Sequence, residues 1–260
     1  MRLILTDKIK LNRHMKKLFY FLSIVLATSI QAQGQNPILT PDNHSADKSL
    51  IKEETYEMRW FILKDTLKME IGKVRTEMQQ KDEEIYLITT VNMQGVHTTW
   101  VDSTIVGRKK LEPIYHSSYN QQRDMVLNFS NQVTGYYNDK QTGVNTKISE
   151  SVDVPFFDSN FYPQLIRWLP LKNGYQSTMA IFDYNPKSKI GVLTATIKNT
   201  EKTTLDFKGN PKPVWKVTMT DDISKNKAVS TYYIDQKSRK ILKQEIDLGG
   251  RKMVMELVDQ

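Results

Sequence analysis

The sequence predicts an all-β protein, in which a mainly antiparallel sheet curves strongly or forms an open or half β-barrel. From Thr55 onward, short runs of β-branched and aromatic residues alternate with polar residues. Short polar links such as Lys81-Asp82 and Gly249-Gly250 separate these runs and suit antiparallel hairpins. The spacing typical of βαβ units is not visible, which argues against a parallel sheet.

The N-terminal region has the pattern of a secretory signal peptide in residues 15–33. Lys16 and Lys17 form its charged part, residues 18–30 are largely apolar, and Ala32 is the small residue before the expected cut. This apolar stretch is shorter than the ~20 residues needed to cross a membrane. We therefore expect a periplasmic or secreted protein without a stable membrane span after cleavage.

Removing residues 1–32 changes the charge of the protein. The full chain of 260 residues has 37 basic and 29 acidic side chains and a net charge of +8. The removed segment holds six of the basic residues and one of the acidic ones, so 31 basic and 28 acidic residues remain, a net charge of +3. This balance argues against a nucleic-acid partner. Residues 1–14 are either a lengthened signal peptide or the product of an upstream start codon, so the start is Met1 or Met15.

The chain contains no cysteine. A bacterial lipoprotein would need one directly after its signal peptide, so we expect a product that carries no lipid anchor. Thiol nucleophiles, thiolate zinc sites and cysteine-held iron–sulfur clusters are excluded. No sequence motif indicates a cofactor.

The mature chain divides into a flexible leader, 33–53, and a single antiparallel β domain, 54–260. The leader is polar, contains two prolines and lacks helical or strand periodicity. The predicted strands are Tyr56 to Leu63, Leu67 to Gln79, Glu84 to Met93, Thr98 to Val106, Ile114 to Asn120, Asp124 to Ser130, Gln132 to Asn138, Thr142 to Ser149, Gln176 to Tyr184, Gly191 to Asn199, Thr203 to Phe207, Val214 to Thr220, Val229 to Asp235, Lys240 to Leu248 and Arg251 to Val258.

One segment, 158–171, departs from the strand pattern and predicts a helix. Apolar residues recur there at near-helical spacing, and Asp158 or Ser159 can serve as the N-cap. Pro163 is compatible with a first turn. We expect the helix to pack on the concave face of the curved sheet. Several strands carry apolar residues on both faces, which favours a curled sheet and leaves a sandwich as the alternative.

Candidate catalytic and metal-binding groups are few. His97 and His116 fall in or beside separate strands without a metal motif, so a hydrogen-bonded or hydrated ring is the favoured interpretation and no metal site is predicted. Three acids, Glu150, Asp153 and Asp158, surround apolar residues, and burial beside such residues would raise the pKa of a carboxyl group. A turn-and-capping role is preferred for them. We expect no enzyme, with a hydrolase acting through these acids as a distant alternative.

The C-terminal run from Ser230 to Glu245, STYYIDQKSRKILKQE, resembles a hairpin of exported DUF3108-type proteins. It is also similar to the penultimate hairpin of LolA/LolB-like lipoprotein carriers. The resemblance is clearest over the last 90 or so residues and implies a curved antiparallel sheet wrapped round one or more helices. In the carriers, the concave face holds acyl chains.

Two functions follow as hypotheses. In the first, the protein binds or carries a lipid or another apolar small molecule in a cavity of the curved sheet. Six large side chains are expected to line this cavity: Trp60, Phe161, Leu165, Trp168, Phe182 and Trp215. In the second, the interior is filled, and the protein serves envelope structure or assembly by offering an edge strand to a protein partner.

Overall fold

The computed structural model describes residues 37–65 and 67–258. The signal peptide predicted within 1–32, and the first part of the predicted leader, lie outside the described residues. Fifteen strands and one α-helix make up the regular structure of the described part. They are β1 (Glu54–Lys64), β2 (Leu67–Lys81), β3 (Glu84–Met93), β4 (Trp100–Gly107), β5 (Pro113–Tyr119), β6 (Arg123–Asn128), β7 (Gln132–Asp139), β8 (Val144–Ser151), β9 (Phe157–Asp158), α1 (Tyr162–Trp168), β10 (Ser177–Asp183), β11 (Gly191–Phe207), β12 (Asn210–Asp221), β13 (Val229–Asp235), β14 (Ile241–Asp247) and β15 (Lys252–Leu257).

All fifteen strands belong to one sheet, in the order β8-β7-β6-β5-β4-β3-β2-β1-β15-β14-β13-β12-β11-β10-β9. The first and last strands in this order do not pair, so the sheet is not closed. Neighbouring strands are antiparallel, except that the two-residue β9 runs parallel to β10. The mainly antiparallel, open arrangement predicted from the sequence is confirmed.

Most predicted strands lie within a few residues of the observed ones. The main difference is β11, because Gly191 to Asn199 and Thr203 to Phe207 were predicted as two strands and form one. The pairing with β12 shifts by one residue between Ile197 and Asn199, which marks a β-bulge. A bulge interrupts the alternation of buried and exposed side chains without ending the strand. The alternation of apolar and polar residues in the sequence is interrupted at the same place, and this predicts two strands instead of one.

The sheet curls so that its two ends pack against each other. Side chains of β10 alternate between two core clusters. Met179 and Ile181 point into the larger cluster, whereas Ala180 and Phe182 pack with residues of β6, β7 and β8 in the smaller one. This strand is therefore covered on both faces, which agrees with the curled sheet that apolar residues on both faces of several strands predicted.

The helix lies on the concave face of the sheet. Leu165, Trp168 and Leu169 are fully buried in the larger cluster, together with inward side chains of β1, β3 and β10 to β13. The helix is shorter than the predicted 158–171, because the residues before it form a turn instead. Asp158 Oδ1 accepts hydrogen bonds from the backbone N–H groups of Asn160 and Phe161, at 2.6 and 3.1 Å. Pro163 lies in the first helical turn, as predicted.

The described part of the predicted leader, residues 37–53, packs on the domain, which differs from the expected flexible segment. Leu39 forms a parallel bridge with Met179, and its side chain is buried. A 3-10 turn at Lys48–Leu50 follows, capped by Asp47, and Ile51 is buried. The isolated leucine and isoleucine gave no periodic pattern, although each fills a gap in the larger cluster.

Candidate binding site

The six side chains predicted to line an internal cavity do not surround one space. Phe161, Leu165 and Trp168 are fully buried in the larger core cluster, and Trp215 packs against that cluster half-buried. Phe182 belongs to the smaller cluster on the other face of β10. The sixth, Trp60, is half-buried on β1. None of these side chains lines any of four well-formed pockets in the described part of the chain.

A pocket of about 360 Å³ opens where one end of β3, β4, β6 and β7 meets three connecting segments. We call it the end pocket. Apolar and aromatic side chains make up one part of its wall, and amide and basic side chains make up the other. Its lining residues are Val91, Met93, Val96, Thr98, Trp100, Asn120, Gln121, Gln122, Arg123, Tyr137, Asn185 and Lys187. Pockets of roughly 300–1,000 Å³ with a largely apolar lining and a few placed polar groups are typical ligand sites.

Local sequence fixes the polar side of the end pocket. The β5–β6 connection is a tight turn in which Asn120 Oδ1 accepts hydrogen bonds from the backbone N–H groups of Gln122 and Arg123, at 2.8 and 3.0 Å. Asparagine favours such turns because its side chain replaces a backbone acceptor. The turn places Arg123 at the start of β6, where its side chain reaches the pocket.

The aromatic part of the wall is held by a hydrogen bond. Trp100 Nε1 donates to Asp102 Oδ1 at 2.7 Å, and both residues belong to β4. Because the carboxylate fixes the indole nitrogen, the ring keeps one orientation at the pocket wall. The indole N–H therefore has its hydrogen-bond partner, and the apolar part of the ring lines the pocket.

The two cations of the end pocket differ in their partners. Lys187 Nζ lies 3.2 Å from Asp139 Oδ2 and is ion-paired. Arg123 donates from Nε and Nη2 to Ser118 Oγ, at 3.4 and 3.2 Å, and no carboxylate of a described residue lies within ion-pair distance of its guanidinium. Arg123 is half-buried, so its charge is partly removed from water without a direct anionic partner.

A buried polar cluster adjoins the arginine on the core side. His116 Nδ1 lies 2.7 Å from Asp158 Oδ2, and both side chains are almost completely buried. Burial by itself lowers the pKa of His116, but attraction and hydrogen bonding to Asp158, with a further contribution from Asp102, outweigh it and leave that pKa raised. The His116 Nε2 atom has no hydrogen-bond partner among the described residues.

The same cluster joins one end of the curled sheet to strands in its other half. Asp158 belongs to the end strand β9, and it meets His116 on β5 and Thr104 on β4. Next to it, Ser159 Oγ donates to Asp183 Oδ1 at 2.9 Å. Burial raises the pKa of Asp183, and the hydrogen bond from Ser159 offsets this in part. The cluster therefore joins β4 and β5 to β9 and β10.

The three acids singled out in the sequence do not form one site. Glu150 lies on the edge strand β8, Asp153 is exposed in the following segment, and Asp158 is buried beside His116. His97 is exposed in the β3–β4 connection, so it is separated from the buried His116. Within residues 37–65 and 67–258, no group of three or more potential metal ligands is close enough to hold an ion.

A family model described as "Protein of unknown function (DUF3108)" matches residues 55–256. The chain belongs to this family. The match spans almost all of the described sheet, so the resemblance seen in the hairpin from Ser230 to Glu245 extends over the whole domain of this DUF3108 chain. No comparison bears on the similarity to the lipoprotein carriers.

Two further comparisons concern other proteins. Among curated proteins, none matches the DUF3108 chain. A solved structure, the crystal structure of a beta-barrel-like protein of domain of unknown function DUF1849 from Brucella abortus, is similar with a TM-score of 0.49 and 10% identity. The alignment covers 79% of this chain and 95% of the other.

A larger groove, of about 510 Å³, lies on the outer face of β1, β14 and β15 beside the β11–β12 hairpin. It contains Phe61 and Leu205, but Arg59, Lys68 and Lys243 are each ion-paired with a glutamate. Lys68 is ion-paired with Glu256, for example, at 2.5 Å. We call it the outer groove.

The sequence reasoning did not single out Arg123, Trp100 or Tyr137 as site residues. Each lies in a strand, where an arginine or aromatic side chain has an ordinary structural explanation. The only local signal was the Asn-Gln-Gln-Arg turn at 120–123, which has the pattern of a common hairpin connection. Their convergence at one end of this DUF3108 domain depends on the curl of the sheet.

Proposed function

We propose that this protein is an exported, non-enzymatic binding protein and that its ligand, a small apolar or amphipathic molecule, occupies the end pocket. One observation carries the proposal. The concave face is occupied by the protein's own side chains, whereas a pocket of about 360 Å³, apolar over part of its wall, remains open at the end of the strands. The proposed ligand site is therefore at the end of the sheet and not on the concave face, where the resemblance to the carriers implied it.

The signal-peptide pattern supports export, and the arrangement of the acids supports the lack of catalysis. The signal peptide predicted in residues 15–33 supports a periplasmic or secreted location. Among the described residues, no helix has the length and apolar character that crossing a membrane requires. The different surroundings of Glu150, Asp153 and Asp158 count against the hydrolase alternative.

The test is binding of the neutral apolar fluorophore N-phenyl-1-naphthylamine to the purified mature protein. Val96 is exposed at the pocket rim, so Val96→Trp fills the pocket without disturbing the core. We expect wild-type protein to bind the fluorophore and Val96→Trp to lose most of this binding. The matched control is Leu205→Trp in the outer groove, which should bind as wild type does. Absence of binding to the wild type, or equal binding to Val96→Trp, would overturn the proposal.

A second candidate function, envelope assembly through a protein partner, is favoured by the free edge of β8. This strand pairs with β7 on one side only, and seven of its eight side chains are exposed or half-exposed. An unpaired edge offers backbone donors and acceptors to an added strand. The test is site-specific photocrosslinking in cells from Lys147, with Thr146→Pro as the variant that blocks strand addition. A defined adduct that disappears in Thr146→Pro would support assembly, and its persistence would contradict it.

A further inference from the structure

The guanidinium of Arg123 is a charged group of the end pocket without a counter-ion in contact. Its Nη1 atom makes no hydrogen bond to any described residue, and its other two nitrogens share one neutral acceptor, Ser118 Oγ. A half-buried guanidinium normally pairs with a planar or tetrahedral anion, because its donors form a fork that matches two oxygens.

The neighbouring acids are poorly placed to neutralise this arginine. Asp102 accepts from Trp100, and Asp158 is paired with His116. Asp183 accepts from Ser159, and its burial favours the protonated form. Each carboxylate thus has another partner, and Arg123 keeps donor capacity directed at the pocket.

The apolar part of the lining sets the other half of the ligand's chemistry. It is formed by apolar and aromatic side chains whose polar atoms, where they have any, lie at one end. They are Val91, Met93, Val96, Trp100 and Tyr137. Such a wall excludes water from one side of a ligand and stabilises hydrocarbon by burial.

We propose that the end pocket recognises an anionic amphiphile, in which a carboxylate or phosphate group binds Arg123 and an apolar chain lies against the wall formed by Trp100 and its neighbours. This inference rests on the proposed function, since it names the ligand class of the same pocket. Arg123 is then the residue that determines specificity for the anionic group. Lys187 contributes less, because it is already paired with Asp139.

The experiment compares four ligands with the same twelve-carbon chain, each below its critical micelle concentration: dodecanoate, dodecyl phosphate, dodecanol and dodecyltrimethylammonium. Affinities are measured by displacement of N-phenyl-1-naphthylamine from the mature protein. A charge-assisted hydrogen bond has the strength of about a 10- to 100-fold change in affinity. We therefore expect at least one of the two anions to bind at least about 10-fold more tightly than dodecanol, and the cation to bind most weakly. The two anions together identify whether carboxylate or phosphate is preferred.

The variant Arg123→Gln should remove the preference for the anions while leaving the affinity for dodecanol unchanged. Arg123→Lys keeps the charge and should retain part of the preference, which guards against a misfolded glutamine variant. Arg59→Gln in the outer groove is the matched control and should behave as wild type. Equal affinities for anions and alcohol, or an anion preference that survives in Arg123→Gln, would overturn this inference and leave the proposed function standing. Failure of all four ligands to bind would overturn both.

Discussion

Leu165→Ala tests whether the helix side chains fill the interior or line a ligand cavity. Leu165 has no exposed surface and packs in the larger core cluster with Phe161 and Trp168. The substitution removes three carbon atoms, about 2.4 kcal/mol at roughly 0.8 kcal/mol per buried methylene group. The space left behind adds a further cost, because the surroundings relax only in part. We expect the free energy of unfolding to fall by about 3 kcal/mol, inside the range of ~2–5 kcal/mol for buried leucines.

The assay is urea denaturation followed by tryptophan fluorescence and circular dichroism. Leu67→Ala is the matched control, because Leu67 is 62% exposed and should change the free energy of unfolding by less than about 0.5 kcal/mol. A cavity-lining leucine would already face empty space, so its truncation would cost little and would alter ligand affinity. A loss below about 1 kcal/mol in Leu165→Ala, together with changed binding of an apolar probe, would refute the filled interior.

Three further predictions concern stability. The raised pKa of His116 means that its stabilising contribution is complete below pH ~6.5, the pKa of unfolded histidine, and is lost as pH rises through the folded pKa. The difference in unfolding free energy between wild type and His116→Gln should therefore shrink between pH 6 and 9, and a constant or growing difference would contradict this. Arg167 is buried and ion-paired with Glu54, so Arg167→Met should cost about 3–5 kcal/mol in urea denaturation, and the double variant with Glu54→Met should recover part of the loss. If the double variant is no more stable than Arg167→Met, this would contradict the pairing of the two side chains. Gly135→Ala should lower the thermal midpoint much more than Gly143→Ala does. A methyl group at Gly135 would overlap a carbonyl of β6, whereas a methyl group at Gly143 would meet only open space. Similar midpoints for the two variants would contradict that reasoning.

The strands were predictable because their signal is local. In β13, Val229–Asp235, aromatic and β-branched residues fill the strand and an aspartate begins the turn, so composition and turn chemistry agree. The helix was predicted in the right place but too long, because Asp158 caps a turn rather than the helix itself. Local propensity could not distinguish these two uses of the same side chain.

The site was less predictable because its parts come from distant segments. His116 and Asp158 are 42 residues apart, and they meet only because the two ends of the sheet curl together. Six large apolar side chains were predicted to line one cavity, yet the sequence could not show that Phe161, Leu165 and Trp168 fill the larger core cluster. Nor could it show that Phe182 packs on the other face of β10. Whether a concave face is filled depends on the curvature of the sheet, and alternation of polar and apolar residues does not encode that curvature.

Site-specific fluorescence tests the location of the ligand most directly, since the chain has no cysteine to interfere. One variant carries Val96→Cys at the end pocket and a second carries Leu205→Cys in the outer groove, each labelled with the small polarity-sensitive dye acrylodan. We expect dodecanoate to shift the emission of the label at position 96 in a saturable way and to leave the label at position 205 unchanged. A saturable shift at position 205 with none at position 96 would contradict the account.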